Sequence, residues 1–205
     1  MYKFPLRLPE GWRVIVTQGF KSTELAEWYT KQGISYQEHL AIDLVVGTPD
    51  YQQWATYGAA IVCPFPSAEL IALEPGTNPG DQKSGRFQVR YTEPDGTVVI
   101  MGGIHCSDVA DGKTSFTYGE DIAYIGNGGY VDPAPTKEDA YAGGHLHLSY
   151  IRNGVVRDPT EIFNIYDPFR GKDSGFEKDI RPIAWAMGWS KEKIAEIITM
   201  FRKAL

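Results

Sequence analysis

From Val14 to about Ile165 the apolar positions come in short alternating or β-branched runs. Each run is cut by glycine, proline, asparagine or aspartate. Runs of this length, bounded by turn residues, read as strands whose successive side chains face opposite ways. Val14-Ile15-Val16-Thr17 is the first, ended by Gly19. His39-Leu40-Ala41-Ile42-Asp43-Leu44-Val45-Val46 follows, closed by Gly47-Thr48-Pro49. On that strand His39, Ala41 and Asp43 are expected to share one face. Further strands are expected over Ala59 to Cys63 and Ala68 to Leu73. Phe87 to Tyr91 and Thr97 to Met101 flank the hairpin signal Pro94-Asp95-Gly96. Ile122 to Gly126 is another strand, and Gly144-His145-Leu146-His147-Leu148-Ser149-Tyr150 is the last, before the turn Arg152-Asn153-Gly154. The stretches 74–84 and 127–144 are rich in glycine, proline and polar residues and read as loops.

Two segments depart from this period. Ser22 and Thr23 can cap a helix over Glu24 to Tyr29, stopped by Gly33. After Ile165, a polar linker from Asp167 to Asp179 precedes a short helix over Ile183 to Gly188. Ser190 then caps a helix with Ile194, Ile197, Ile198, Phe201 and Leu205 on one stripe. The pattern predicts a mainly β chain. Residues 1–165 form an antiparallel sheet or sandwich, and residues 166–205 are a linker and helical C-terminal extension. That extension packs on the domain as a tail or serves as a docking helix for a partner.

Composition narrows the class. With 205 residues, 42% of them hydrophobic, the chain can bury one good core with a small appendage. A net charge of −6 without a Lys/Arg cluster argues against nucleic acid and anionic membranes as partners. No apolar run approaches the length of a membrane span. The first nine residues do not form a signal peptide, so synthesis as a soluble cytoplasmic protein is expected if this is the natural start. Two cysteines, Cys63 and Cys106, are too few for a disulfide framework.

The candidate chemistry lies in the four histidines, His39, His105, His145 and His147. His145 and His147 sit two apart on a strand and would project side by side. Asp43 stands four residues after His39. Catalytic zinc takes three His, Asp or Glu ligands and keeps one position open for water. His39, Asp43 and one of His145 and His147 supply that set; the spacing leaves open which one. The remaining histidine, with His105, would stand beside the metal for proton transfer.

In this combination and order the chain resembles the LytM/lysostaphin-type zinc metalloendopeptidases, which cleave peptide bonds in bacterial peptidoglycan. The resemblance runs from about Val14 to Phe163. It is carried by Thr17-Gln18-Gly19-Phe20, His39-Leu40-Ala41-Ile42-Asp43, Gly47-Thr48-Pro49, Gly144-His145-Leu146-His147, Asn153-Gly154 and Asp158-Pro159. It implies zinc held by His39, Asp43 and His147, with His145 and His105 as catalytic histidines and a peptidoglycan peptide as substrate. The family usually has Gly where Ala41 stands, Tyr where Gly103 stands and Leu where Cys106 stands. Residues 50–57 and 131–142 read as insertions. A wall hydrolase without a leader would fit a bacteriophage lysin or a virion component that acts at the cell wall.

Three other readings share these residues. Two histidines and a carboxylate also make the facial set of non-haem Fe(II) oxygenases, although those place the His and carboxylate two apart. A cupin is a further β-rich metalloenzyme with an H-x-H. A wall-binding or structural module on the same fold would have no activity at all. Under the peptidase reading the loop from Asn127 to Gly144 forms one wall of the substrate groove. Tyr130 and Tyr141 would pack there on peptide, and Asp132, Glu138 and Asp139 would attract free amines.

Overall fold

The computed structural model describes residues 2, 4–21, 30–31, 38–47, 56–74, 84–107, 112–131 and 133–163. The chain divides between Tyr166 and Asp167 into two units, and the described residues belong to the first. The expected helix over Glu24 to Tyr29, residue Asp132 and everything after Phe163, including the expected C-terminal helices, lie outside the described residues.

The domain is mainly β, built on one large antiparallel sheet. Its strands are β1 (Arg13–Gln18), β2 (Ile42–Gly47), β3 (Ala60–Val62), β4 (Ser67–Glu74), β5 (Gly85–Thr92), β6 (Val98–Ser107), β7 (Ser115–Thr117), β8 (Asp121–Ile125), β9 (Leu146–Arg152) and β10 (Val155–Arg157). They pair in the order β1-β2-β9-β6-β5-β4-β7, with β10 beside β9, and β8 bridging β6 to β3. A 3₁₀ turn, Pro159–Glu161, is capped by the Asp158 carboxylate. No described helix is long and apolar enough to cross a membrane.

Period-two burial explains why these residues make strands. Leu146, Leu148 and Tyr150 of β9 are fully buried, as are Ile42, Leu44 and Val46 of β2 and Val99 and Met101 of β6. Each such aliphatic side chain contributes roughly 1.5–3 kcal/mol on burial. The alternate residues of β2 and β9, Asp43 and His147, are thereby turned to the other face, and they are direct cross-strand partners. Packing of the apolar face thus fixes the register that brings these two polar residues together.

At the Pro94–Gly96 turn, Asp95 accepts a hydrogen bond from the Thr97 amide at 2.9 Å, and Gly96 takes a φ of +86°. The turn sits at the start of β6. His105 lies near the far end of that strand, about 23 Å away at 3.3 Å per residue. Gly102 and Gly103 in mid-strand are there for space. A Cβ on Gly103 would stand 2.5 Å from the Phe87 ring, and one on Gly102 would stand 2.7 Å from Ser149 Oγ. The two cysteines are buried free thiols. Burial pushes the pKa of both upward.

Four differences from the sequence expectation concern the strands. Strand β9 begins at Leu146, so His145 stands just before it, and β10 was not expected beyond the turn at Asn153-Gly154. Strand β2 begins at Ile42, so His39 precedes it instead of sharing a face of it. Fully extended, residues four apart would be separated by about 13 Å. A bend at Leu40 and Ala41 brings His39 Nε2 to 3.3 Å from Asp43 Oδ1 instead. Strand β7 was not expected, because Ser115-Phe116-Thr117 holds only one apolar residue. That residue, Phe116, is nonetheless 1% exposed.

Candidate metal centre

The three central strands β2, β9 and β6 carry the chemistry at one end of the sheet. Asp43 opposes His147, and His147 in turn opposes Ile104, the neighbour of His105. His39 is delivered by the segment before β2. It is held by the end of β1: its Nδ1 donates to Gly19 O at 3.1 Å, and its carbonyl accepts from the Lys21 amide at 2.7 Å.

Three donor atoms converge. His39 Nε2 stands 3.0 Å from His147 Nδ1 and 3.3 Å from Asp43 Oδ1, and His147 Nδ1 stands 3.0 Å from the same oxygen. Donors placed tetrahedrally about 2.1 Å from a zinc ion are about 3.4 Å apart, so this triangle has the dimensions of one face of such a site. The chemistry of the set agrees. With Nδ1–H of His39 given to Gly19, its Nε2 carries a lone pair. It faces a second imidazole nitrogen and a carboxylate. Three such donor atoms at this spacing suit a cation between them. Among the described residues this is the group able to hold a metal ion, and the residues present fit one.

Spacing alone left His145 and His147 interchangeable, and the resemblance implied His147 as the ligand; their atoms differ here. His147 turns Nδ1 into the triangle. His145 gives Nδ1 to Gly143 O at 2.8 Å and holds Nε2 3.8 Å from Asp43 Oδ1, outside it. The His105 ring lies beside that of His145, with centroids 4.5 Å apart, and gives its own Nδ1 to Gly128 O at 2.7 Å. With Nδ1 of each ring given to a carbonyl, Nε2 is the nitrogen that His105 and His145 offer for proton transfer. All five candidate residues come together.

Burial alone would raise the Asp43 carboxyl. The charge of His145 and the close contacts of the His147 and His39 rings outweigh it and hold the group well below the usual carboxylate range. Burial pushes His105 down to about 4; the charge of His145 adds to this and the Gly128 hydrogen bond opposes it. His105 is therefore a neutral imidazole at neutral pH, fit to accept a proton at Nε2.

A stability prediction follows for His105. In the unfolded chain it titrates near 6.5, so as pH falls the unfolded state takes up the proton first. The contribution is fully present above about pH 6.5 and is lost as pH falls toward 4, a span corresponding to about 3 kcal/mol. Urea midpoints taken between pH 7 and pH 4.5 should fall more steeply for the wild type than for His105→Gln. Parallel curves would show that burial of His105 carries no such cost.

His105 owes its aim to a bulge. It has a φ of +65°, and it is the extra residue where Gly85 pairs with Cys106 but Arg86 pairs with Ile104. At the same point β6 leaves β9 and takes up β8, beginning with Cys106 opposite Ile125. Its amide donates to Ser84 Oγ at 3.1 Å, and its carbonyl accepts from the Gly126 amide at 2.6 Å. A non-glycine residue held at positive φ marks a site whose surroundings over-determine it. Gly103, where the resembled family usually has Tyr, is explained too: the Phe87 ring fills the room a side chain there would need.

Sequence reasoning missed the groups that orient the histidines, the carbonyls of Gly19, Gly128 and Gly143 together with Ser84. A signal for two of them existed. Gly126, Gly128 and Gly129 flank one end of the long loop and Gly143 and Gly144 the other, where backbone must come close to other groups. Tyr141 of that loop packs against Tyr57, with ring centroids 4.7 Å apart. Tyr130 and Tyr141 are both exposed.

No protein-family model matches this chain, and no curated protein does. Among solved structures it is similar to a chain of the SpoIIIAH–SpoIIQ complex, at 17% identity and a TM-score of 0.43, over 78% of this chain and 99% of that one. It is similar to lysostaphin at 16% identity and a TM-score of 0.39, over 63% of this chain and 43% of that one. A third is the catalytic domain of the prophage-encoded M23 protein EnpA from Enterococcus faecalis, at 14% identity and a TM-score of 0.41, over 77% and 95%.

Proposed function

We propose that the chain is a zinc-dependent endopeptidase that cleaves peptide bonds in bacterial cell-wall peptidoglycan. The observation that carries the reading is the convergence of His39 Nε2, Asp43 Oδ1 and His147 Nδ1 within 3.3 Å of one another, with two further imidazoles beside them. The motif order that resembles the LytM/lysostaphin type supports the substrate class.

In this reading His39, Asp43 and His147 hold the ion. Zinc, when bound, lowers the pKa of a water and polarises the scissile carbonyl. His105, neutral and with Nδ1 tied to Gly128, takes a proton at Nε2 from the attacking water. His145, with Nδ1–H tied to Gly143, would likewise offer an Nε2 lone pair to the attacking water, and the proton taken up at Nε2 of this pair of rings would be given from the same nitrogen to the leaving amine. The loop between Asn127 and Gly144 forms one wall of the substrate groove, with the exposed Tyr130 and Tyr141 as packing surfaces for peptide or sugar.

The direct test pairs metal analysis with wall digestion. Purified protein is expected to carry one zinc per chain and to release new amino groups from purified peptidoglycan. Chelation should stop release and added zinc should restore it. Protein that sediments with walls and releases nothing would be a binding module. Protein that carries iron and consumes oxygen would belong to the oxygenase reading.

A further inference from the structure

The long loop does more than border the site. Both carbonyls that orient the two non-ligand histidines come from its ends: Gly128 O for His105 and Gly143 O for His145. These two residues are fifteen apart in sequence, and one side chain joins the segments that carry them. Asn127, 1% exposed, donates both protons of its carboxamide, to Ala140 O and to Ala142 O, each at 2.9 Å. Asn127 adjoins Gly128 and Ala142 adjoins Gly143, so each end of the tie lies one residue from a carbonyl that serves a histidine.

We propose that Asn127 is a positioning residue: by closing the stem of the 127–144 loop it holds Gly128 O and Gly143 O where they fix Nδ1–H of His105 and His145, so that both rings present Nε2. The backbone on either side leaves little slack. Gly143 has a φ of +69°, and a Cβ there would lie 2.3 Å from Pro133 O and 2.7 Å from Val131 Cγ2. Gly129 has a φ of +88°, and its Cβ would lie 2.9 Å from Ser84 Cβ, the residue that braces the His105 amide. A neutral imidazole carries one ring proton, and the acceptor beside a nitrogen decides which nitrogen keeps it. With the tie cut, the two acceptors lose their fixed places and each ring is free to turn or to move its proton to Nε2. An Nε2–H ring cannot accept a proton there.

The inference rests on the reading of His105 and His145 as the working histidines, but its test does not need the activity. Long-range ¹H–¹⁵N spectra taken at about pH 8.5, well above the ordinary imidazole pKa of about 6.5, report which ring nitrogen is protonated. Wild-type protein should show Nδ1–H at both His105 and His145. Asn127→Ala and Asn127→Asp should lose that preference at both rings together while zinc content stays at the wild-type level. Gly143→Ala, which leaves Asn127 in place, should alter His145 alone. Where wall digestion is measurable, kcat should drop about 10- to 100-fold in the Asn127 variants, the usual effect of losing a group that orients a working residue.

A purely structural role for Asn127 would lower the melting temperature and leave both tautomers as in the wild type, and that result overturns the proposal. Should the Asn127 variants fail to fold, the wild type and Gly143→Ala still decide. Nε2–H at either ring of the wild type, or an unchanged His145 in Gly143→Ala, overturns it. Nδ1–H at both rings with His145 alone disturbed supports it. Wild-type protein that digests no wall yet shows both tautomers as stated, and loses them in Asn127→Ala, would refute the peptidase reading and leave this one standing.

Discussion

Asp43→Ala is expected to purify folded, without metal, and to release no new amino groups from peptidoglycan. The carboxylate is where the donor set meets. Its Oδ1 stands 3.0 Å from His147 Nδ1, 3.3 Å from His39 Nε2 and 3.8 Å from His145 Nε2. It is the one anion in that set, and the imidazoles around it hold it ionised far below the usual carboxylate range against the pull of burial. Its removal leaves two neutral nitrogens, too few to hold zinc at a catalytic site. Metal chemistry contributes several kcal/mol to such a reaction, so cleavage should fall about 10³-fold or more. Metal analysis is the deciding measurement. A folded Asp43→Ala that kept stoichiometric zinc would remove Asp43 from the ligand set, whatever its activity.

His145→Ala and His147→Ala should part company in the same measurement. His147 directs Nδ1 into the triangle, so His147→Ala is expected to lose both metal and activity. His145 spends Nδ1 on the Gly143 carbonyl and keeps Nε2 at the edge, so His145→Ala should retain zinc and lose about 10²- to 10⁴-fold in kcat, the range for removal of a proton-transferring group. The alternating pattern alone treats the two residues alike, since it puts both on one face of one strand; β9 itself begins at Leu146, just after His145. The distinction is geometric, and the reverse result, zinc lost with His145 and kept with His147, would exchange their roles.

The sheet was legible where a strand carries its own pattern. Leu146, Leu148 and Tyr150 alternate with His147 and Ser149, and the burial follows that alternation residue by residue. The Pro94-Asp95-Gly96 turn was legible for the same local reason. Ser115-Phe116-Thr117 was not, because three residues are too few to show a period and its pairing with β4 is a tertiary matter. At the candidate site, the expectation that His39, Asp43, His105, His145 and His147 stand together came from motif spacing and from the resemblance. What could not be read was how they meet. His39 reaches Asp43 through a bend, where the sequence suggested a shared strand face. His105 reaches the site through a bulge at positive φ, which no property of histidine announces. The acceptors that orient the rings are backbone carbonyls, and backbone atoms leave no residue type to recognise. Only the clustered glycines at both ends of the 127–144 loop hinted at them.

The residues of the candidate metal centre lie far apart in sequence. His147 is 104 residues from Asp43 and 108 from His39. The donor triangle therefore does not exist until β2 and β9 have found their register against each other. A chain that has not folded has no place to load an ion, and an ion that binds only the folded form adds to its stability. At a free concentration 1,000 times the dissociation constant the added stability is about 4 kcal/mol. Loading with metal would then act as a lock on the finished fold, and hydrolytic competence would switch on in the same step.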